Sequence, residues 1–255
     1  LPDVIRDYFG DGSEFDVNMH YVVEEDQPLG TAGCVKNVES LLDSTFLVMS
    51  GDSITDFDLS AAIRFHKTQR SQATLLLRRV SEPMAFGVVI TDEQHRIQRF
   101  LEKPSTSEVF SDTVNTGIYI LEPEVLRYLS PNTPSDFSQD LFPLLLSHKV
   151  PMFGYIADGY WCDIGSLDAY RQAQYDAIRG RVNLNLGYLQ QRTVFWVAEH
   201  TEIDTSARIE APVLIGANCS IGARVSISAG TIIGDQVTIG NDADLQRPII
   251  CNGVV

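Results

Sequence analysis

Two hydrophobic rhythms divide this chain. In the first, segments with helical spacing alternate with short apolar runs. PDVIRDYFGDG places Val4, Ile5, Tyr8 and Phe9 on one helical face before glycines end it. HYVVEE at 20–25 reads as a strand, and TAGCVKNVESLL at 31–42 as a helix. FLVMSGD at 46–52 is apolar with little alternation, as in a strand covered on both faces. LSAAIRFHKTQ at 59–69 predicts a helix and QATLLLRRV at 72–80 a strand. Residues 86–104 predict a hairpin with arms at Gly87–Thr91 and Ile97–Leu101. TVNTGIYIL at 113–121 is a further strand, and EPEVLRYL at 122–129 a short helix opening on proline. A last helix follows Ser166, with Leu167, Tyr170, Ala173 and Ala177 expected on its apolar face. This order predicts an α/β fold: a Rossmann-like, mostly parallel sheet with helices on both faces and ligands at the carboxyl ends of its strands.

The second rhythm begins near residue 203. Ile203, Ile209, Ile215, Ile221, Ile227, Ile233, Ile239 and Leu245 fall six residues apart. Two places before most of them sits a small or medium residue: Ala207, Val213, Cys219, Val225, Thr231, Val237 or Ala243. Neither a helix nor a strand has a period of six, whereas the hexapeptide repeat of a left-handed parallel β-helix does. The expected organisation is therefore an α/β domain over 1–178, a connector over 179–200 and a β-helix over 201–255.

Composition narrows the classes. Hydrophobic residues at 44% and charged residues at 21% fit a water-soluble globular chain, and no apolar run approaches the ~20 residues of a membrane helix. A net charge of -15 argues against nucleic acid as a main partner, because a phosphate backbone selects a basic footprint. A small anionic ligand would instead need a local basic pocket or a metal cation. Cys34, Cys162, Cys219 and Cys251 lie far apart without a CxxC pair, which favours reduced thiols in a cytoplasmic setting over zinc or a disulfide framework.

Several residues stand out against this background. Gly30 and Thr31, in EEDQPLGTAG, suit either a capped loop, with Thr31 capping the next helix, or a loop that admits a flat ligand. Asp52, past the end of FLVMS, reads as a turn former or as a ligand at a strand's carboxyl end. Glu102 and Lys103 would point to opposite faces of an extended segment, as surface charge or as site residues. Asn115 lies in an apolar stretch, so its amide must find partners in a turn or in a ligand hydroxyl. Asp163 is a turn residue or a second carboxylate beside Asp52.

Taken in order, PLGTAG, SGDSITDFDL, FGVV with FLEKP, VNTGIYIL and GYWCDIGSLDAY closely resemble the sugar-1-phosphate nucleotidyltransferases. The hexads resemble the repeat domain many of these enzymes carry. Within the family the wording is most similar to bacterial, cyanobacterial-type mannose-1-phosphate guanylyltransferases. The resemblance implies transfer of a nucleotidyl group from an NTP, with GTP favoured, to a sugar 1-phosphate, with mannose 1-phosphate favoured. Mg²⁺ is the implied cofactor, held by Asp52 and Asp163, with Lys103 completing the catalytic set by holding the sugar phosphate. Glu25, Leu29, Gly30 and Thr31 are implied to bind the nucleotide, and Gly87, Glu102 and Asn115 the sugar. A homo-oligomer is expected, with no nucleic-acid or membrane partner.

The family's N-terminal strand and glycine-rich triphosphate loop have no counterpart here, and the solenoid stops at CNGVV without a cap. The chain is thus expected to be part of a longer product and inactive by itself. Some relatives continue into a phosphohexomutase domain. The competing readings are a non-catalytic regulatory homologue that binds nucleotide sugars, a glucose-1-phosphate uridylyl- or thymidylyltransferase, and a hexapeptide acyltransferase with His200 as its one candidate base.

Overall fold

A computed structural model describes residues 2–24, 27–83, 86–101, 111–184, 190–192 and 195–255. Up to residue 178 its elements run α1 (Pro2–Phe9), α2 (Gly30–Asn37), β1 (Phe46–Met49), β2 (Ser53–Thr55), α3 (Leu59–Gln69), β3 (Ala73–Arg79), β4 (Val88–Thr91), β5 (Ile97–Leu101), β6 (Thr113–Leu121), α4 (Phe142–Ser147), β7 (Met152–Ile156), β8 (Trp161–Asp163) and α5 (Leu167–Ile178). The chain divides into two compact units, residues 1–50 with 59–157 and residues 51–58 with 158–255.

The first unit is an α/β layer around a six-stranded sheet ordered β5-β4-β6-β3-β7, with β1 also on β6. β1, β3, β4 and β7 point one way and β5 and β6 the other, so among the described pairings of this sheet only β3–β7 is parallel. The sheet is Rossmann-like but mixed, which corrects the mostly parallel expectation. Its physical reason is the β4–β5 hairpin, whose tight turn can only join antiparallel strands. β3 lies between β6 and β7, and its Ala73, Leu75, Leu76 and Leu77 are fully buried. The core joins Ala73, Leu75 and Leu77 to Phe137, Leu141, Phe142 and Leu145 from a helical stretch that the hydrophobic pattern had not singled out. α3 sends His66 into this layer, where Nδ1 meets Thr74 Oγ1 at 2.8 Å and Nε2 meets Glu122 Oε1 at 3.0 Å.

Two expected strands differ. HYVVEE forms no strand over 20–24, and Val22 and Val23 are 52% and 40% exposed. Apolar β-branched residues do not make a strand without a neighbouring edge to complete its hydrogen bonds. β1 forms as expected, but Leu47 and Met49 are exposed while Phe46 and Val48 pack on the core, so one face is open rather than both covered.

In the second unit the hexads close a three-sided parallel solenoid, the β-helix expected from the repeat. Ile203, Ile221 and Ile239 stack on one side, Ile209, Ile227 and Leu245 on the next, and Ile215, Ile233 and Ile250 on the third. Three hexads make one coil, so every sixth side chain points inward; Val213, Val225 and Val237 fill the positions two places earlier with no exposure. α5 packs Tyr175 and Ile178 against Ile232 of this solenoid. Its buried residues are Ala173, Tyr175, Asp176 and Ile178, whereas Leu167 and Tyr170 are exposed, so the helix is rotated from the face the apolar spacing predicted. The carboxylate of Asp176 turns inward because Tyr160, Gln172 and Arg181 offer it donors there.

Candidate functional site

The edge of β6 forks. One edge pairs β3 along its length. The other is shared: β1 pairs Ile118–Leu121, while β4 meets Val114 and the Asn115 N–H donates to Gly87 O at 2.8 Å. Between them the ladder slips, so that Leu75 and Leu77 of β3 face Tyr119 and Asn115. The extra residues form a bulge built on Gly117, whose φ of 76° is in the left-handed region. Asn115 staples it. Its Oδ1 accepts the Gly117 N–H at 3.1 Å, and its Nδ2 donates to Tyr119 Oη at 2.9 Å and Ser138 Oγ at 3.3 Å.

The PLGTAG loop forms a second feature of the same unit. The Ser135 carbonyl accepts from the N–H groups of Ala32 and Gly33, and the Ser135 N–H donates to Leu29 O at 2.8 Å. Gly30 has φ 71°, and a Cβ there would lie 2.6 Å from Ser135 O, so both backbone geometry and space select glycine. Thr31 does not cap α2, which starts at Gly30 behind Leu29 with no side-chain cap. Instead its hydroxyl donates to Asp136 Oδ2 at 2.7 Å and accepts from the Phe137 N–H at 3.1 Å. The cap expectation failed because a partner distant in sequence claimed the hydroxyl. A cavity of about 310 Å³ joins loop and fork, lined by Thr31, Cys34, Val48, Ser50, Gly117 and Tyr119 among others.

The third feature lies in the second unit. β2 and β8 pair antiparallel, with Ser53 opposite Asp163. The ribbon continues one step, since the Ile164 N–H donates to Asp52 O at 2.8 Å. Asp52 and Asp163 therefore sit at adjoining positions across the ribbon's end. Burial, and next the charge of Asp52, push the Asp163 carboxyl above its ordinary value. Two repelling carboxylates form a hard-oxygen donor pair whose repulsion a divalent cation would relieve. Among the described residues no cluster of three or more His, Cys, Asp or Glu could hold a metal. The pair itself would suit Mg²⁺, which typically takes one or two protein carboxylates.

The profile described as Nucleotidyl transferase matches residues 2–180. This chain belongs to that family. The nucleotidyl transferase relatives differ in substrate. Over 98% of this chain and 68% of its own length, UTP–glucose-1-phosphate uridylyltransferase of Synechocystis sp. is 32% identical. Mannose-1-phosphate guanylyltransferase of Mycobacterium tuberculosis is 36% identical over 70% of this chain, and the match spans 50% of that protein's length. Among solved structures, a candidate glucose-1-phosphate thymidylyltransferase from Bacillus anthracis, in complex with a sucrose, superposes with a TM-score of 0.61 at 25% identity. That likeness covers 72% of this chain and 74% of the other. HddC from Yersinia pseudotuberculosis, complexed with GMP-PN, shares the fold with a TM-score of 0.57 at 22% identity, covering 68% of this chain and 72% of that one.

Of the residues that the family resemblance marked, Leu29, Gly30 and Thr31 share the loop, Gly87 and Asn115 share the fork, and Asp52 and Asp163 share the ribbon. Glu25, Glu102 and Lys103 lie outside the described residues. His200, the alternative base, is 78% exposed at a left-handed position, φ 59°. Sequence reasoning missed Asp136 and Ser138. Asp136 caps the following turn, its Oδ1 accepting from the Ser138 and Gln139 N–H groups at 2.7 and 3.0 Å. An aspartate just before an apolar helix is a readable cap signal, but its bond to Thr31 is not.

Proposed function

We propose that this chain supplies the nucleotide- and sugar-handling part of a sugar-1-phosphate nucleotidyltransferase. The enzyme would join the nucleotidyl group of an NTP to a sugar 1-phosphate and release pyrophosphate. The observation that carries this reading is the Asp52–Asp163 pair at the end of the β2–β8 ribbon. In such a reaction two anions must meet, and a sugar phosphate oxygen attacks the α-phosphorus in line; catalysis is then positioning and charge stabilisation rather than covalent chemistry. Mg²⁺ bound by Asp52 and Asp163 would neutralise charge between the two phosphates.

The remaining roles belong to this chain. Leu29, Gly30 and Thr31 shape the nucleotide side, with Glu25 accepting from guanine. Gly87 admits the sugar close to backbone, Asn115 and Glu102 bind its hydroxyls, and Lys103 holds its phosphate. The stapled bulge supports the sugar role, because a fixed amide loses little freedom on binding. We take the protein to be a cytoplasmic homo-oligomer; among the described residues no helix is long and apolar enough to cross a membrane.

GTP and mannose 1-phosphate are the favoured pair. The mycobacterial relative supports them, as does Glu25. A carboxylate placed for guanine's two donors leaves groups unpaired against uracil or thymine, which a polar site penalises strongly. UTP with glucose 1-phosphate is the second reading, supported by the cyanobacterial relative matched over 98% of this chain. The test is pyrophosphate release by the full-length native protein with GTP, UTP and dTTP, each against mannose and glucose 1-phosphate. A specificity constant highest for GTP with mannose 1-phosphate is expected. Preference for UTP with glucose 1-phosphate selects the second reading, and no release from any pair rejects both.

A further inference from the structure

The β2–β8 ribbon has three register pairs, Ser53–Asp163, Ile54–Cys162 and Thr55–Trp161. An isolated two-stranded ribbon is marginal in water, and a slip of one residue turns every side chain of a strand to the other face. Such a slip would carry Asp163 away from Asp52. Something must hold the register, and the residue next to β8 is tied down from three sides. The Tyr160 N–H donates to Asp56 Oδ1, the Asp56 N–H donates back to Tyr160 O at 3.2 Å, and the Thr55 hydroxyl donates to the same carbonyl at 2.9 Å. Asp56 Oδ2 also accepts the Asn183 N–H at 2.9 Å.

The side chain of Tyr160 leads to α5. Its hydroxyl donates to Asp176 Oδ2 at 3.1 Å. Asp176 is 6% exposed, and its other oxygen accepts from Gln172 Nε2 and Arg181 NH1, both at 2.9 Å. A buried carboxylate with three donors is satisfied, and this explains why α5 turns Asp176 inward and leaves Leu167 outside. Burial, above all, holds the Tyr160 hydroxyl protonated far beyond its ordinary range, so it stays a donor. α5 itself starts at Leu167, four residues after Asp163, with the Ser166 cap Oγ accepting the Ala169 N–H at 3.1 Å. Asp163 thus sits on a short span anchored on one side by Tyr160 and on the other by α5, and Asp176 ties those two anchors together.

We infer that Tyr160 and Asp176 are positioning residues which fix the β2–β8 register and so hold Asp52 and Asp163 as a cation-binding pair. The inference rests on the proposed cation role of that pair. It assigns Asp176 a task unlike that of the other two carboxylates: it spends its charge on Tyr160, Gln172 and Arg181, not on the cation.

The experiment uses the full-length protein, with Mn²⁺ as probe. Mn²⁺ affinity is measured by calorimetry, and amide hydrogen exchange is followed at 53–55 and 161–164, both well below the melting temperature. Tyr160→Phe and Asp176→Asn each keep side-chain shape. Both are expected to weaken Mn²⁺ binding about 10-fold, the loss typical of removing support behind a metal ligand, and to speed exchange in the ribbon while the solenoid amides stay protected. Thr68→Ala, whose hydroxyl bonds only within α3, serves as a control expected to change neither readout. Unchanged affinity and unchanged exchange in both folded variants would overturn the inference. If Asp163→Asn leaves Mn²⁺ affinity at the wild-type value, the cation reading itself fails; exchange in Tyr160→Phe then still decides whether this pair of residues sets the register. Should both shape-conserving variants unfold, Arg181→Lys, which keeps a donor, is expected to fold and show the same two changes to a smaller degree; wild-type behaviour there rejects the inference.

Discussion

The hydroxyl of Thr31 donates to Oδ2 of Asp136 at 2.7 Å, across 105 residues of sequence. Thr31 Oγ1 in turn accepts the Phe137 N–H, so one side chain ties the PLGTAG loop to the turn that begins the helical stretch at 137–147. Thr31→Val keeps the shape and removes both bonds. Because the site is exposed, the expected loss is about 1 kcal/mol, read as a lower urea midpoint. Under the proposed function KM for the nucleotide should rise more than kcat falls, since the loop would be misplaced rather than the chemistry removed. Thr31→Ser should restore both values.

Gly30 and Gly117 both have positive φ, yet they should respond differently to alanine. At Gly117 the added Cβ meets Ser50 Cβ at 3.7 Å, an ordinary contact, so only the left-handed backbone costs, about 1 kcal/mol. At Gly30 the added Cβ falls 2.6 Å from a backbone oxygen that cannot move without breaking the loop's hydrogen bonds. Gly30→Ala should lose about 3 kcal/mol from strain and overpacking together. Chemical denaturation of the two variants side by side checks the order.

Asp52→Asn and Asp163→Asn should each lower turnover by about 10²-fold or more, the scale for losing a charge-stabilising group. Stability should hold or rise slightly, because each change removes like-charge repulsion at Asp163. Circular dichroism and steady-state pyrophosphate release on the same samples separate the two effects. Near wild-type turnover in either variant rejects the assignment.

His66 supplies a pH signature. Burial lowers its ring below the ordinary value of 6.5, outweighing the neighbouring Glu122, which acts to raise it. The carboxylate can only accept, so Nε2 carries the proton and Nδ1 accepts from the Thr74 hydroxyl. A lowered folded value means the unfolded chain binds the proton more readily. The contribution to stability is therefore complete above pH 6.5 and is lost as pH falls through the folded value. Urea midpoints at about pH 5 and about pH 7.5 should differ in wild type, and His66→Gln should reduce that difference.

The sequence was most informative where structure is local or strictly periodic. A period of six needs nothing beyond itself: three hexads close a coil, and each isoleucine meets the one a coil away. The hairpin at β4–β5 and the start of the helix after Ser166 were likewise readable, because turns and helix starts involve residues a few places apart. The family resemblance brought Asp52 and Asp163 together as a pair.

Tertiary structure decided the rest. Residues 20–24 carry a strand's composition but have no strand ladder, since pairing depends on a neighbour and not on propensity. The sheet's directions follow from which strands meet β6, and a strand's own residues do not encode that. Thr31 and α5 gave way to long-range demands. The Thr31 hydroxyl, inside the first turn of α2, bonds Asp136 instead of capping that helix, and α5 rotated to bury a carboxylate because Tyr160, Gln172 and Arg181 satisfy it. A buried polar group needs its partners, and the partners that turned these positions from their local reading include Asp136, 105 residues from Thr31, and Tyr160, 16 residues from Asp176, which come close only in the fold.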